Sequence, residues 1–184
     1  RYFQARKGDL MNSDSLVYQA KAFYNAYIAL DQLSRTDSNW IPLLAAPLIV
    51  NGAFLIELTL KAILTKNRIE YGREHNLVIL FQRLPDSFQY EMWTYLIEKA
   101  PEYKDAEKCF DEIVLLSNAF VDWRYAFEDN PVPAIDSRFL FVWANAAICT
   151  MLSHYNVDFC PTIGLESDDE IDQSFVKIVK IVKP

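Results

Sequence analysis

Residues 47–66, which read PLIVNGAFLIELTLKAILTK, decide the fold of this chain. The stretch 48–56 is apolar around nearly the whole helical circumference, so it predicts a helix at the centre of a bundle. Pro47 suits the first turn of that helix, where its missing N–H has no intrahelical partner, and a short helical lead-in from Pro42 is the alternative. Glu57 and Lys61 are four residues apart, in the order that favours an ion pair on one helix face.

The same region, from Trp40 to Ile56, is the most membrane-like part of the chain. It is only 17 residues long and contains two prolines and an asparagine, and Glu57 and Lys61 follow within a few positions. A membrane span needs about 20 apolar residues. We therefore expect a buried core helix and no membrane partner.

Apolar residues at spacings of three and four predict five further helices. These cover residues 14–34, 76–84, 86–100, 105–128 and 136–153, with 105–128 as the longest. The predicted fold class is all-α, an up-and-down bundle of about five to six helices. We expect one domain over residues 1–160, followed by an irregular acidic tail over residues 161–184. Within that tail, residues 175–183 are consistent with an edge strand or a short helix.

Composition excludes several classes of protein. The chain has 184 residues, of which 52% are hydrophobic and 14% aromatic, which is too apolar for a disordered segment. A formal charge of −7 disfavours nonspecific binding to phosphate backbones, although a local basic site for RNA stays open. Three cysteines without motif spacing argue against a disulfide framework and predict a reducing, cytoplasmic location.

Motifs for cofactor, metal or nucleophilic chemistry are absent from the sequence. The four glycines are far apart, so no phosphate-binding loop is present. The two histidines, His75 and His154, have no neighbouring nucleophile that would suggest a catalytic triad. His154, Asp158 and Cys160 could be imagined as metal ligands, but such a mixed set at a helix end is more often incidental. We therefore predict no cofactor and no metal.

Glu57 and Arg124 are the charged residues that the helical pattern turns towards the core. Glu57 is a candidate general acid, and the simpler interpretation is a structural ion pair with Lys61 or with Arg124. Arg124 has a planar guanidinium that suits a carboxylate or a phosphate. Because a charge removed from water must be paired, we favour a buried pair with Glu57 or Glu128.

Three segments, taken together and in this order, resemble the HEPN superfamily of helical bundles. They are FLIELTLKAIL at residues 54–64, EHNLVILF at 74–81 followed by Leu84-Pro85, and WRYAFE at 123–128. The resemblance covers about residues 14–153. It implies a HEPN-like bundle and a dimeric habit, with His75 as a structural residue near the entry of the short helix.

The resemblance also frames the expected function. Many HEPN proteins are metal-independent ribonucleases in which an arginine is followed four to six residues later by histidine. Here those offsets from Arg124 hold Glu128, Asp129 and Asn130, and Arg73 precedes His75 by only two residues. We therefore expect a non-catalytic HEPN-like binding or interaction module. It would pair with itself through the strongly apolar last helix, or with another component of a bacterial defence or toxin–antitoxin system.

Two alternatives stay open at this level. One is a ribonuclease with a rearranged site built from Arg73, His75, Arg124 and Glu128. The other is a small-molecule binder whose pocket is lined by aromatic residues, although aromatic stripes at helical spacing are more often core. Its candidate lining residues are Trp93, Trp123 and Trp143, together with the ten tyrosines.

Overall fold

The computed structural model describes residues 13–36, 41–123 and 134–155. Within these ranges the chain forms six α-helices, one 3-10 turn and no strand, which confirms the predicted all-α bundle. The helices are α1 (Ser13–Thr36), α2 (Ile41–Lys66), α3 (Leu77–Gln82), α4 (Asp86–Lys99), α5 (Ala106–Asp122) and α6 (Ser137–His154), and the 3-10 turn is Pro101–Tyr103.

Helix α2 is the centre of the bundle. It packs against α1, α3, α5 and α6, and every residue from 55 to 64 is buried. Its segment Leu44–Lys66 is long and apolar enough to cross a membrane by length and composition, and 72% of its most apolar stretch is buried inside the protein. The core helix of a folded bundle passes the same test, and the burial of α2 confirms the predicted core helix.

The start of α2 differs from the prediction, because the helix begins at Ile41 and Pro47 lies in its interior. The alternative lead-in from Pro42 is therefore part of one continuous helix. A proline inside a helix removes one backbone hydrogen bond. That loss is tolerated here because Leu44 and Ala45, upstream of Pro47, extend the half-buried apolar surface. The side-chain amide of Asn51 also donates to the Pro47 carbonyl at 2.7 Å.

Side-chain caps fix most of the other helix starts. Asn76, Asp105 and Asp136 cap α3, α5 and α6, each by accepting a hydrogen bond from a backbone N–H of the first turn. Helix α4 begins at Asp86 directly after Pro85, without a side-chain cap.

Helix α5 ends earlier than predicted. It spans 17 residues to Asp122 and is shorter than α1 and α2, so the expectation of a longest helix over 105–128 is wrong. The prediction extended α5 because apolar residues continue at helical spacing in the sequence past Trp123, which is the C-cap of the helix. Arg124, Glu128 and the tail 161–184 lie outside the described residues.

Three helices approach closely at Gly52 of α2. A Cβ atom there would lie 2.8 Å from Leu140 Cδ1 of α6 and 2.9 Å from Tyr27 Cε2 of α1. Only a glycine therefore fits between these two buried side chains without displacing them. Nearby, the buried Tyr24 hydroxyl donates to Asn145 Oδ1 at 3.0 Å and joins α1 to α6. Burial raises the pKa of Tyr24, so this hydroxyl keeps the proton that it donates.

Helix α6 is buried against α2 and α4. From residue 139 to 152 every residue is buried except Phe141, which is half-buried. Trp143 is fully buried, with Phe81 at 5.2 Å and Phe139 at 5.9 Å between ring centroids. The apolar sequence of α6 is thus used inside the bundle, and this helix does not offer the exposed face that pairing through it would need.

Candidate functional site: a carboxylate shared by a lysine and a histidine

Glu57 is a buried carboxylate on α2. The residue is 6% exposed, and its Oε1 atom contacts both Lys61 Nζ at 2.7 Å and His75 Nδ1 at 2.9 Å. Lys61 is also buried, whereas the His75 side chain is 73% exposed. We refer to Glu57, Lys61 and His75 as the carboxylate cluster.

Helical spacing brings the first two members of the carboxylate cluster together. Glu57 and Lys61 lie one turn apart on α2, so their side chains share a face, and the ion pair expected from the sequence is present. The Tyr71 ring lies 5.5 Å from Lys61 Nζ and adds a cation–π contact. The Tyr71 hydroxyl accepts a hydrogen bond from Thr65 Oγ1 at 3.3 Å, which fastens the loop after α2 to the helix.

The loop that follows α2 delivers His75. It turns back with left-handed conformations at Arg68 and Gly72, with φ of 57° and 58°, and glycine adopts this conformation without strain. Glu74 Oε1 then accepts hydrogen bonds from the backbone N–H groups of Asn76 and His75, both at 2.9 Å. These bonds, that from Asn76 foremost, lower the pKa of Glu74. The two hydrogen bonds to Glu74 hold the backbone of residues 74–76 in the conformation from which the His75 side chain contacts Glu57.

The structure refines the role expected for His75. The cap of α3 is the Asn76 side chain, which accepts from the Ile79 N–H at 3.1 Å. His75 instead bonds the carboxylate of α2, 18 positions away in the chain. The residue therefore links α2 to the entry of α3, and the expected helix-entry cap is its neighbour.

Helix α5 contributes Ser117 to the same corner of the bundle. Its Oγ accepts from the Leu77 N–H at 3.0 Å and donates to the Ile113 carbonyl at 2.9 Å. The Leu77 N–H belongs to the first turn of α3 and has no intrahelical partner, so this side chain satisfies it. Helices α2, α3 and α5 pack against one another here, and Ser117 joins α5 to the start of α3.

The other predicted site residues are distributed differently. Arg73 is exposed in the loop, two residues before His75. Arg124 and Glu128 lie outside the described residues, so a pair between them, or between Arg124 and Glu57, stays a prediction. The contact of His75 with Glu57 was not foreseen, because no spacing rule connects residues on different elements.

The carboxylate cluster suits an anchoring role better than proton transfer. A general acid or base needs to reach a substrate atom at hydrogen-bond distance. Glu57 is enclosed, and its Oε1 is already occupied by two donors. The arrangement holds an anion between Lys61 and an imidazole, and it joins α2 to the start of α3.

A second polar group joins the ends of α4 and α6. Ser153 Oγ donates to Glu91 Oε1 at 2.8 Å, and His154 Nε2 lies 2.9 Å from Glu91 Oε2. The His154 ring also lies 4.3 Å from the Phe88 ring centroid, and its carbonyl accepts a hydrogen bond from Lys66 Nζ. Because Ser153 is directed at the glutamate, it forms no nucleophile–base pair with His154.

No metal site is formed by the part of the chain that the structure describes, where no three His, Cys, Asp or Glu side chains are grouped to hold an ion. Of the set considered from the sequence, His154 is described, whereas Asp158 and Cys160 lie outside the described ranges. His154 is engaged by Glu91.

Comparisons of this chain with models of protein families, with curated proteins and with solved structures find no match. The likeness to HEPN proteins therefore rests on the three quoted segments, and what it implies about function belongs to a proposal.

Proposed function

We propose that this chain is a non-catalytic HEPN-like binding module that pairs with a second copy of itself. The observation that carries this proposal is the outward face of α1. Four exposed residues at helical spacing line it, two of them large and apolar: Tyr18, Ala26, Ala29 and Leu33. Helix α1 packs mainly against α2, so its opposite side faces away from the bundle.

The dimensions of α1 support a self-complementary contact. Its 24 residues span about 36 Å, and a twofold dimer uses the same patch of both copies. Tyr18 and Leu33, 67% and 42% exposed, lie towards the two ends of this face. The small side chains of Ala26 and Ala29 between them would allow two helices to approach closely, at roughly 8–10 Å between axes.

This location replaces the one expected from the sequence. The last helix, α6, has the most continuous apolar run among the predicted helices, but that run is consumed by packing against α2 and α4. Exposed apolar surface is what marks a protein–protein contact, and residues 139–152 of α6 expose little of theirs. Helix α1 keeps an unburied apolar face, so the proposed contact is assigned to it.

Two observations support the non-catalytic half of the proposal. Neither histidine follows an arginine by four to six residues, so the imidazole that would exchange protons in a HEPN-type nuclease is missing. His75, which a rearranged site would need, is bonded to the carboxylate of Glu57. In this proposal the chain acts in the cytoplasm, in a bacterial defence or toxin–antitoxin system. An adjacent nucleotidyltransferase or restriction-type gene would support that setting.

A nuclease assay tests the non-catalytic half. Purified protein and an Arg124→Ala variant are incubated with transfer RNA and messenger RNA without added metal. We expect the same background with both proteins. Cleavage by the wild type that is lost in Arg124→Ala would overturn the proposal and favour a ribonuclease built around Arg124.

Light scattering tests the pairing half. Over a concentration series the wild-type chain should approach twice its 21.4 kDa. A mass of one chain at every concentration would contradict self-association and leave a different protein as the partner to be sought.

A further inference from the structure

A cleft of about 1040 Å³ opens where the end of α1, the first half of α2 and the start of α6 meet. Its floor is apolar and includes Leu44, Leu48 and Ile49 of α2. Trp123, after α5, and Phe141 of α6 add two aromatic walls, both half-buried. Of the three tryptophans considered as pocket residues, Trp123 therefore lines a cavity, whereas Trp143 belongs to the core.

The rim of this cleft is positively charged. Arg35, Lys99 and Arg138 line it, and Asp31 is the one acid among the described lining residues. The whole chain, by contrast, carries a charge of −7. Even with Asp31 and Glu102, which pair with Arg35 and Arg138, the three cations leave a net positive charge at the rim, opposite in sign to the whole chain, and this charge complements a ligand with an acidic group.

Both rim arginines are held in place and still accessible. Arg35 Nε lies 2.8 Å from Asp31, its guanidinium lies 5.3 Å from the Phe141 ring, and its side chain is 66% exposed. Arg138 Nε lies 2.7 Å from Glu102, and its side chain is 62% exposed. A guanidinium has five N–H donors, so it can contact a carboxylate while it keeps an existing partner.

We propose that this cleft binds a small amphipathic carboxylate. The apolar or aromatic body of the ligand lies on the α2 floor beside Trp123 and Phe141, and its carboxylate contacts Arg35 and Arg138 at the rim. The chemistry follows the usual division of a ligand site, in which an apolar surface supplies contact area and a few polar groups fix orientation. This binding site is independent of the outward face of α1 and adds a ligand to the proposed module.

Octanoate and 1-octanol are matched probes for this site, because they share an alkyl chain and differ in charge. The readout is the set of tryptophan indole N–H signals in a nitrogen–proton correlation spectrum of the full chain, with the Trp123 signal assigned by a Trp123→Phe variant. We expect octanoate to shift the Trp123 signal in a saturable way. We expect 1-octanol to bind at least tenfold more weakly.

Charge-removing variants locate the carboxylate. Arg35→Gln combined with Arg138→Gln should weaken octanoate binding at least tenfold and leave 1-octanol binding unchanged. Arg83→Gln removes an exposed arginine outside the cleft and should bind octanoate like the wild type. Lys99→Gln, which removes a rim charge without breaking either arginine pair, should weaken octanoate binding and provides a second test if the double variant is unfolded.

Three results would overturn the proposal. The first is the absence of a saturable octanoate shift at Trp123. The second is equal binding of octanoate and 1-octanol, which would leave an apolar cleft without acid recognition. The third is octanoate binding that is unchanged in a folded rim variant.

Discussion

Replacement of Glu57 by leucine is the sharpest test of the anchoring role of the carboxylate cluster. The change leaves Lys61, which is 8% exposed, with a buried charge whose carboxylate partner is gone. It also removes the acceptor of His75. If Glu57 had only a catalytic role, its replacement would change the free energy of unfolding little. If Glu57 anchors the structure, the same replacement should destabilise the protein.

The size of the effect follows from the geometry. At 2.7 Å and an effective dielectric constant of about 20, the gross attraction of two unit charges is about 6 kcal/mol. Desolvation of the two ions costs several kcal/mol each, so the pair contributes little net stability relative to apolar residues. Removal of one partner, however, leaves that desolvation uncompensated and costs about 3–5 kcal/mol. For a chain of this length, the melting temperature should fall by roughly 6–20 °C.

The assay is a double-mutant cycle of Glu57→Leu, Lys61→Leu and the double variant, followed by urea unfolding at pH 7. We expect each single variant to lose about 3–5 kcal/mol and the double variant to lie within about 1 kcal/mol of the wild type. A Glu57→Leu variant as stable as the wild type would refute the anchoring role. Additive losses in the double variant would show that the two charges are not coupled.

Three further predictions address packing, capping and thiol reactivity. Gly52→Ala should lower the free energy of unfolding by about 1–2 kcal/mol, because the clash with buried Leu140 outweighs the gain in helix propensity. A variant that is more stable than the wild type in urea unfolding would mean that α2 and α6 lie further apart than described. Asp136→Ala should cost about 1 kcal/mol at pH 7 through the lost cap of α6. Partial burial acts to raise the pKa of Asp136, but its hydrogen bonds, that from Tyr103 first, lower it overall. The difference from the wild type should therefore be full above the ordinary carboxyl pKa of about 3.9 and shrink as pH falls through the lowered pKa of the folded state. Urea titrations at falling pH check this, and a difference that does not shrink on acidification would contradict it. Burial raises the pKa of the Cys109 thiol to about 12, and Cys149 is buried as well. In a variant whose third cysteine is changed to serine, Ellman's reagent at pH 8 should therefore label neither thiol until the protein unfolds. Rapid labelling of the native protein would disprove their burial.

Hydrophobic periodicity was sufficient to predict the helices, because each helix must turn an apolar face to the core. The caps Asn76, Asp105 and Asp136 could be anticipated for the same local reason, since they satisfy N–H groups two or three residues away. Pro47 was misjudged because its local preference for a first turn was overridden by packing on both sides of it.

The candidate site was only half predictable. The Glu57–Lys61 pair follows from spacing within one helix. The approach of His75 depends on how the loop of residues 67–76 turns back, and nothing in the linear pattern determines that path. The burial of α6 within its own bundle was not predictable for a related reason, because an apolar helix has the same sequence signature whether its neighbour is its own bundle or a second chain.

The central claim, that this chain is a binding module whose outward α1 face joins two copies, is tested most directly by the molar mass of a charge-insertion variant. Ala26→Arg adds a charge at the middle of the exposed α1 face, and Ala106→Arg adds the same charge at an exposed position of α5. Light scattering at equal concentrations should give one chain mass, 21.4 kDa, for Ala26→Arg and twice that mass for the wild type and Ala106→Arg. An Ala26→Arg variant that stays at the wild-type dimer mass, or a wild type that is monomeric throughout, would contradict the account.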